Sequence, residues 1–322
     1  MVCFQFHLKP HFKIVIVAGI ASTVSACGDG GGGGGGGSVG GSISRLPITI
    51  TNPDPGVVIE PSALELANTP SLGDVAAASV YHLGVSGEGM TIGVVDSGVD
   101  KTHDELSGRV IGGGDWQSSG DGTSDPYGHG THVASIIAAS SNNKGMQGIA
   151  PLAEIVSYRI LNSAGKFGGK SGNTMLPAIL GNVATRNLKV VNNSWASIYE
   201  ITDLSASTIE SAISSELSAY RNSATASGPV MVWAAGNGSD NNVSVRSGLP
   251  YYFPELKANW LTVVAVDLDG VEPVYTNRCG VSAEWCLTAP GGGDNQPKDG
   301  IEAARAGGGY TKKSGTSMAY LK

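Results

Sequence analysis

The sequence has little of several features that mark whole classes of protein. Its 322 residues include only 4 cysteines, and no stretch is rich in lysine or arginine. The formal net charge of -7 at pH 7 gives no electrostatic reason to expect a nucleic acid or another polyanion as partner. Apart from a glycine run there is no internal repeat. The 41% hydrophobic and 15% charged residues suit one large globular domain preceded by a leader.

The N-terminal apolar run, residues 14–20, is too short to cross a bilayer as an ordinary transmembrane helix. Lys9 and Lys13 give it a positive flank and small residues follow it, so residues 1–27 are predicted to be an export signal. The sequence Val-Ser-Ala-Cys at 24–27 resembles a bacterial lipobox, which implies cleavage before Cys27 and a lipid anchor on it. By that resemblance, Gly28 favours the outer membrane. The alternative is a plain signal peptide with a chance cysteine.

Two segments of unusual composition follow the leader. Residues 28–42 contain an unbroken glycine run from 30 to 37, and they are predicted to be a flexible tether. Residues 43–71 carry five prolines without a sustained period, so we expect an extended approach segment. Residues 72–322 are predicted to form the folded domain.

Beyond residue 72, short apolar runs alternate with helical patterns. Continuous apolar runs predict strands buried on both faces of a parallel sheet. Ile209, Ile213, Leu217 and Tyr220 recur at helical spacing, and Pro177 is expected in the first turn of another helix. The predicted fold class is α/β, a mainly parallel sheet with helices on both faces. The predicted strands are 90–95, 155–160, 190–194, 230–235 and 261–266, and two further predicted helices are 131–139 and 175–186.

Three short motifs place polar residues where such sheets collect reactive groups, beside the carboxyl ends of strands. Asp96 lies in Val-Val-Asp-Ser-Gly (94–98), His129 opens His-Gly-Thr-His-Val-Ala (129–134), and Ser317 lies in Gly-Thr-Ser-Met-Ala (315–319). Singly, each has an ordinary explanation: the aspartate and serine as helix N-caps, the histidine as a structural hydrogen-bonding residue. Together they run in the order Asp, His, Ser, which is one order of the serine-hydrolase triad.

These motifs, with Ala-Ala-Gly-Asn at 234–237, resemble those of the subtilisin-like serine proteases over about residues 72–319. The resemblance implies that Ser317 is the nucleophile, His129 its general base and Asp96 the carboxylate that orients the imidazole. It also implies that the side-chain amide of Asn237 and the backbone N–H of Ser317 receive the oxyanion.

The second motif contains two histidines, and the family pattern places the base first. This selects His129, while His132 is expected to pack or bond locally. A zinc site is the alternative chemistry for two histidines so close together. Their spacing of three residues, with no glutamate between them and no third ligand nearby, does not match the metalloprotease pattern.

Substrate binding is expected along Asn193, Ser194 and Trp195, which occupy the place of the family strand that pairs with the substrate backbone. Trp195 either shapes a specificity pocket or packs in the core. No cofactor is expected. Structural calcium, which the family often binds, stays open because the loop 140–146 supplies carbonyl and amide candidates but no carboxylate.

Cys279 and Cys286 have a spacing that suits one small disulfide loop in an oxidising compartment, and two free buried thiols are the alternative. The cysteine pair, the lipobox and the glycine tether together resemble lipoprotein autotransporter subtilases of the bacterial surface. This resemblance implies an exported chain, anchored at the outer membrane or cell surface and possessing protein or peptide substrates.

In the family, Gly-Thr-Ser-Met-Ala normally leads into a long buried helix, whereas this sequence continues with only Tyr-Leu-Lys at 320–322. The sequence therefore predicts a chain cut short behind a weakly held Ser317. Three interpretations remain: an exported serine endopeptidase, an inactive surface lipoprotein that keeps a peptide-binding groove, and an unfolded fragment.

Overall fold

The computed structural model of the chain describes residues 59–81, 83–168 and 171–319. The predicted signal segment with Cys27, the predicted tether and the closing residues 320–322 lie outside these ranges. Within them, no helix is long and apolar enough to cross a membrane.

The centre of the fold is a sheet of seven strands in which every pairing is parallel. The strands are β1 (Thr91–Asp96), β2 (Val110–Asp115), β3 (Glu154–Arg159), β4 (Val190–Asn193), β5 (Val230–Ala234), β6 (Trp260–Val266) and β7 (Cys286–Pro290). Their spatial order is β2-β3-β1-β4-β5-β6-β7. A separate antiparallel hairpin consists of β8 (Ile301–Ala304) and β9 (Tyr310–Lys313).

Helices cover both faces of the sheet. The longer ones are α4 (His129–Ala138), α5 (Gly172–Thr185), α6 (Ala206–Ala212) and α7 (Ser214–Ser223); the short α1 (Ala63–Asn68), α2 (Ser71–Asp74) and α3 (Ala78–Tyr81) precede them.

Neighbouring residues of β1 pack into two different hydrophobic cores, one on each face of the sheet. Val94 packs with residues of α4 and β8, whereas Val95 packs with residues of α5 and α7. Both side chains are almost completely buried. Because successive side chains of a strand point to opposite faces, a strand covered on both sides must be apolar at every position. The predicted α/β class with a mainly parallel sheet is therefore confirmed.

Three local predictions were wrong. Pro177 lies inside α5 rather than in its first turn, because the Ser171 hydroxyl accepts from the Asn173 N–H and starts the helix earlier. The pattern from 209 to 220 forms two helices that meet at Ile213, where the backbone leaves the helical region. Part of the predicted extended segment is helical, since Ser62 and a glutamate three residues later form a capping box at α1.

A buried ion pair lies beside the aromatic core. Arg246 donates to both carboxylate oxygens of Glu216, at 2.6 and 3.0 Å, and Tyr220 donates to the same carboxylate at 2.9 Å. The Glu216 side chain is fully buried. The Arg246 guanidinium also lies 5.1 Å from the ring centre of Trp195, which meets Trp233 edge to face. The buried ion pair and the aromatic cluster therefore pack directly against each other.

A disulfide joins Cys279 to Cys286 at the start of β7. It closes a loop of short 3₁₀ turns whose Trp285 is buried and donates to the carbonyl of Ser247 at 3.3 Å. The bridge therefore covalently closes a loop that also packs on the core.

We expect Arg246→Met to lower the free energy of unfolding by about 3–5 kcal/mol, because it leaves the buried Glu216 carboxylate without its cation. The double variant Glu216→Leu/Arg246→Met should recover much of that loss. Urea unfolding followed by tryptophan fluorescence measures both. Lys144→Met, which removes an exposed ion pair with Asp104, serves as control and should leave the unfolding midpoint nearly unchanged. A double variant as unstable as the single one would contradict this account.

Candidate active site

The candidate site lies at the carboxyl edge of the sheet, where the strand order reverses. β1 lies between β3 and β4, so the chain leaves β1 for one side of the sheet and later returns to the other. Such a switch point opens a crevice beyond the strand ends. Asp96 is the last residue of β1, Ser194 directly follows β4, and Asn237 follows β5 after two residues. The topology alone therefore gathers three of the candidate residues.

Asp96 and His129 form the central pair of this crevice. The Nδ1 atom of His129 lies 2.8 and 2.9 Å from the two carboxylate oxygens of Asp96. The carboxylate is fully buried and the imidazole is 16% exposed. One Asp96 oxygen also accepts from the N–H of Ser97 at 2.7 Å. A buried carboxylate in this position fixes the imidazole ring and leaves Nε2 as the nitrogen available for proton transfer.

His129 reaches Asp96 because α4 begins unusually close to the end of β1. A Cβ atom on Gly130 would lie 2.1 Å from the carbonyl oxygen of Gly98 and 3.0 Å from the Cβ of Asp96. No side chain fits there. The Gly130 N–H instead donates to the hydroxyl of Ser97 at 2.9 Å. The glycine after the histidine is thus a requirement of packing.

Asp125 fixes the loop that leads into α4. Its carboxylate accepts from the backbone N–H groups of Gly128 and Thr131 and from the hydroxyls of Thr131 and Ser97, at 2.7 to 2.8 Å. These donors include N–H groups of the first helical turn, which have no partner within the helix. Asp125 therefore holds the start of α4, and His129 with it, against the turn after β1.

The β8–β9 hairpin holds α4 from the other side. Lys313 donates to the carbonyl of Gly128 at 2.9 Å. Burial lowers the pKa of Lys313 below its usual value, although the charges of Asp125 and Asp96 oppose this effect. Nε2 of His132 lies 3.2 Å from the carbonyl oxygen of Thr311 in the same hairpin. The hairpin is thus a second element that fixes the helix beginning at His129.

His132 is fully buried, and its hydrogen bond goes to the hairpin rather than to Asp96. Burial, reinforced by the positive charges of Lys313 and His129, lowers the pKa of His132 from 6.5 to about 3. This histidine is therefore neutral at ordinary pH and bonds to the hairpin backbone, as expected for a local packing role.

Ser317 lies in a turn closed by the bond from the Met318 N–H to the Gly315 carbonyl. Its hydroxyl donates to the carbonyl of Ser194 at 3.0 Å, and the Ser194 hydroxyl donates to the carbonyl of Ser317 at 3.2 Å. Within the described residues no hydrogen bond joins Ser317 to His129. Hydrogen bonds of this type are often long or misaligned before substrate binds.

Asn237 is oriented through its carboxamide oxygen. That oxygen accepts from the backbone N–H of Thr316 at 2.8 Å and from its hydroxyl at 2.9 Å. Asn237 lines the groove, and among the described residues no hydrogen bond engages its Nδ2 atom. Gly236 has φ of +121° and its N–H donates to the Thr316 hydroxyl at 3.2 Å, so the loop carrying Asn237 is tied to the residue before Ser317. An oxyanion between Asn237 and the Ser317 N–H would meet donors whose positions are already set.

These side chains open onto one groove of about 410 Å³. Besides His129, Asn237 and Ser317, its walls include Ser194 and Trp195. Trp195 is only 8% exposed because most of its ring packs in the aromatic core. The side chain of Asn193 does not line the groove. It is buried and donates within the sheet to backbone carbonyls at 3.3 and 3.4 Å.

Two residues that support the site, Asp125 and Asn277, were not identified from the sequence. Asp125 stands four residues before His129, in a turn of the type Asp-Pro-Tyr-Gly, which is a recognisable signal for a residue that caps the following helix. Asn277 is almost completely buried, and its Oδ1 accepts from the Gly238 N–H at 2.6 Å. No local pattern marks Asn277, because its partners lie some forty residues away.

The loop 140–146, where the sequence leaves calcium open, is held by two buried carboxylates. Glu65 accepts from the N–H groups of Asn142 and Asn143, and Glu105 accepts from the N–H of Met146. These two carboxylates therefore fix the backbone of the loop. Among the described residues, no group of three or more His, Cys, Asp or Glu side chains could hold a metal ion.

Comparison with known proteins gives a consistent answer. The model of the subtilase family (peptidase S8) matches residues 87–319. The chain is 31% identical over 245 residues to subtilisin Savinase of Lederbergia lenta, covering 76% of this chain and 77% of that protein. It is 28% identical over 306 residues to an extracellular serine protease of Serratia marcescens, covering 76% of this chain but only 28% of that protein.

A solved structure agrees with the sequence relatives. A cold-adapted subtilisin-like serine proteinase superposes with a TM-score of 0.54 at 28% identity, and the match covers 73% of this chain and 72% of that one. Residues 87–319, which the family model matches, contain the seven-stranded sheet, the Asp96–His129 pair and the turn of Ser317. The chain therefore belongs to the subtilase family of serine endopeptidases.

Proposed function

We propose that this chain hydrolyses peptide bonds through an acyl-enzyme, with Ser317 as nucleophile, His129 as general base and Asp96 as the orienting carboxylate. The observation that carries the proposal is the two-oxygen contact of a buried aspartate with Nδ1 of His129, in a groove that also holds Ser317 and Asn237. Protein or peptide segments are the substrates that such a groove accommodates.

In the first half-reaction, Nε2 of His129 takes the hydroxyl proton as the Ser317 oxygen attacks the carbonyl carbon. Asp96 stabilises the imidazolium that forms. The oxyanion accepts hydrogen bonds from Nδ2 of Asn237 and from the Ser317 N–H. The imidazolium then gives its proton to the leaving amine, the C–N bond breaks, and the acyl group remains on Ser317.

In the second half-reaction, water takes the place of the amine. His129 removes a proton from the water, whose oxygen attacks the ester carbon, and the same donors hold the new oxyanion. The proton returns to the Ser317 oxygen as the carboxylic acid leaves. No step uses a cofactor.

The substrate backbone is proposed to pair along residues 193–195, next to the end of β4. Extended peptides add to sheet structure in this way through main-chain hydrogen bonds. Trp195 and the Ser194 carbonyl face the groove, while Asn193 would contribute through its backbone, since its side chain is engaged within the sheet.

We also propose that the chain is exported and held at the cell surface by a lipid on Cys27, in the manner of lipoprotein autotransporter subtilases. The Cys279–Cys286 disulfide supports an oxidising compartment. The Serratia relative described as extracellular supports export. The leader, Cys27 and the glycine-rich residues 28–42 would then act as signal, anchor and spacer.

One observation favours a second candidate, an inactive surface lipoprotein that binds peptides. The Ser317 hydroxyl donates to the Ser194 carbonyl rather than to His129. A fluorophosphonate probe separates the two candidates, because it reacts only with a serine whose base can take the proton. Labelling at Ser317 supports the endopeptidase, and a folded chain that resists labelling supports the binding protein.

Asn237→Ala should lower kcat by about 100- to 1000-fold, because one of the two oxyanion donors is lost. Ser317→Ala should abolish both hydrolysis and fluorophosphonate labelling. Steady-state hydrolysis of a chromogenic peptide measures these effects. Asn222→Ala, at an exposed position on α7 outside the groove, is the control and should match the unaltered chain. An Asn237→Ala variant with unaltered kcat would remove Asn237 from the proposed mechanism.

His132→Gln should make the stability of the protein less sensitive to acid. Between pH 6.5 and about 3 the unfolded chain protonates this histidine and the folded chain does not, so the folded state loses stability as pH falls. The slope of the unfolding free energy should differ between the two chains by about 1.4 kcal/mol per pH unit in that window.

Urea unfolding at several pH values gives this slope. His129→Gln should abolish hydrolysis at every pH, whereas the His132→Gln chain, measured at neutral pH, should still be labelled by the fluorophosphonate. Loss of labelling with retained folding in His132→Gln would contradict the choice of His129 as the sole base.

Cys27→Ala should abolish incorporation of labelled palmitate and release the protein from the membrane fraction. Cys3→Ala is the matched control, because Cys3 lies within the predicted signal segment and should be absent from the mature protein. Metabolic labelling and cell fractionation measure both variants. Palmitate labelling that survives Cys27→Ala would contradict the proposed anchor.

A further inference from the structure

The groove contains a single carboxylate. Of the described residues that line it, only Asp240 carries a full negative charge, and none is a lysine or an arginine. The other lining groups are apolar or uncharged, apart from His129. Asp240 lies three residues beyond Asn237, on the oxyanion side of the groove, and it is half-buried.

Asp240 is held in place by Asn277. The Nδ2 atom of Asn277 donates to one Asp240 carboxylate oxygen at 3.0 Å and to the Asn242 carbonyl at 3.2 Å. The other end of the same amide accepts from the Gly238 N–H at 2.6 Å. One buried side chain therefore fixes the loop that carries both Asn237 and Asp240. The carboxylate is positioned by its surroundings before any substrate arrives.

No cation of the chain neutralises this carboxylate. Among the described residues, none of the ion pairs includes Asp240. The basic side chain nearest in sequence, Arg246, pairs with Glu216 at 2.6 and 3.0 Å. Arg278, whose backbone N–H donates to the Asp240 carbonyl, directs its side chain to Glu272 at 2.6 Å and to the side chain of Asn241 at 3.1 Å. A negative charge in the groove is thus left without a cationic partner, whereas the buried Glu216 carboxylate is paired with Arg246.

We propose that Asp240 makes this groove selective for a lysine or arginine side chain in a residue next to the scissile peptide bond. This inference rests on the proposed function, since it names a feature of the substrate. A cationic side chain entering the groove would pair with an already oriented carboxylate that is partly shielded from water, where a charge pair gains more than at an open surface. An acidic side chain at the same position would be repelled.

Equilibrium binding to a Ser317→Ala chain tests the inference without turnover. The probes are fluorescent, end-capped octapeptides of alanine in which one lysine is moved through the four central positions, and a matched series with norleucine. At one or more positions the lysine peptide should bind about three- to tenfold more tightly than its norleucine counterpart. Fluorescence anisotropy measures the ratio, which should fall as salt is raised.

Adding Asp240→Asn to the Ser317→Ala chain should bring that ratio to about one. Asp269→Asn removes one negative charge from an exposed loop outside the groove, and it should leave the ratio as it was. Because each ratio is taken within one preparation, a difference in the folded fraction cancels. A second variant, Asp240→Lys, should reverse the preference, so that a glutamate peptide binds better than a lysine peptide.

A ratio of one at every position, or a ratio that survives Asp240→Asn, would overturn the inference and leave the proposed function standing. Failure of the unaltered chain to cleave any peptide, with the lysine preference intact, would overturn hydrolysis alone. Absence of measurable binding by every peptide would overturn both.

Discussion

The contact between the end of β1 and the start of α4 is the constraint on which the site depends. A helix begins here close enough to a strand for Asp96 to meet His129 with both carboxylate oxygens, and only a glycine at 130 permits this approach. Helix starts carry unpaired N–H groups, and two of those at the start of α4 are taken by Ser97 and Asp125. The same short segments therefore provide hydrogen-bond acceptors for the N–H groups at the start of α4 and fix the orientation of the His129 imidazole.

Much of the fold could be predicted because its strands are buried on both faces. Five strands were located within a residue or so of their observed ends, since a strand covered by helices has no polar side to interrupt its apolar run. The edge strands β2 and β7 were missed because Val-Ile-Gly-Gly-Gly-Asp and Cys-Leu-Thr-Ala-Pro contain too few apolar side chains to form such a run. The start of α5 was misplaced because a single capping serine outweighed the usual position of a proline.

The candidate site could be predicted only as far as its motifs are local. Asp96, His129, Asn237 and Ser317 each stand in a short signature, and the topology then gathers them in one groove. The residues that position these side chains could not be identified from the sequence in the same way. Lys313 reaches the carbonyl of Gly128 across 185 positions of sequence, and such a contact depends on the packing of the hairpin against α4 rather than on any pattern along the chain.

The hydrogen bond from the Ser317 hydroxyl to the Ser194 carbonyl holds this hydroxyl when no peptide is bound. That carbonyl belongs to the segment along which the substrate backbone is proposed to pair, so an incoming peptide N–H competes for the same acceptor as the serine hydroxyl. In the proposed mechanism, a peptide bound there would therefore free the Ser317 hydroxyl to turn toward His129. The Ser317 hydroxyl is bonded to the protein's own backbone, and the hydrogen bond that a substrate makes in its place would offset the cost of freeing it.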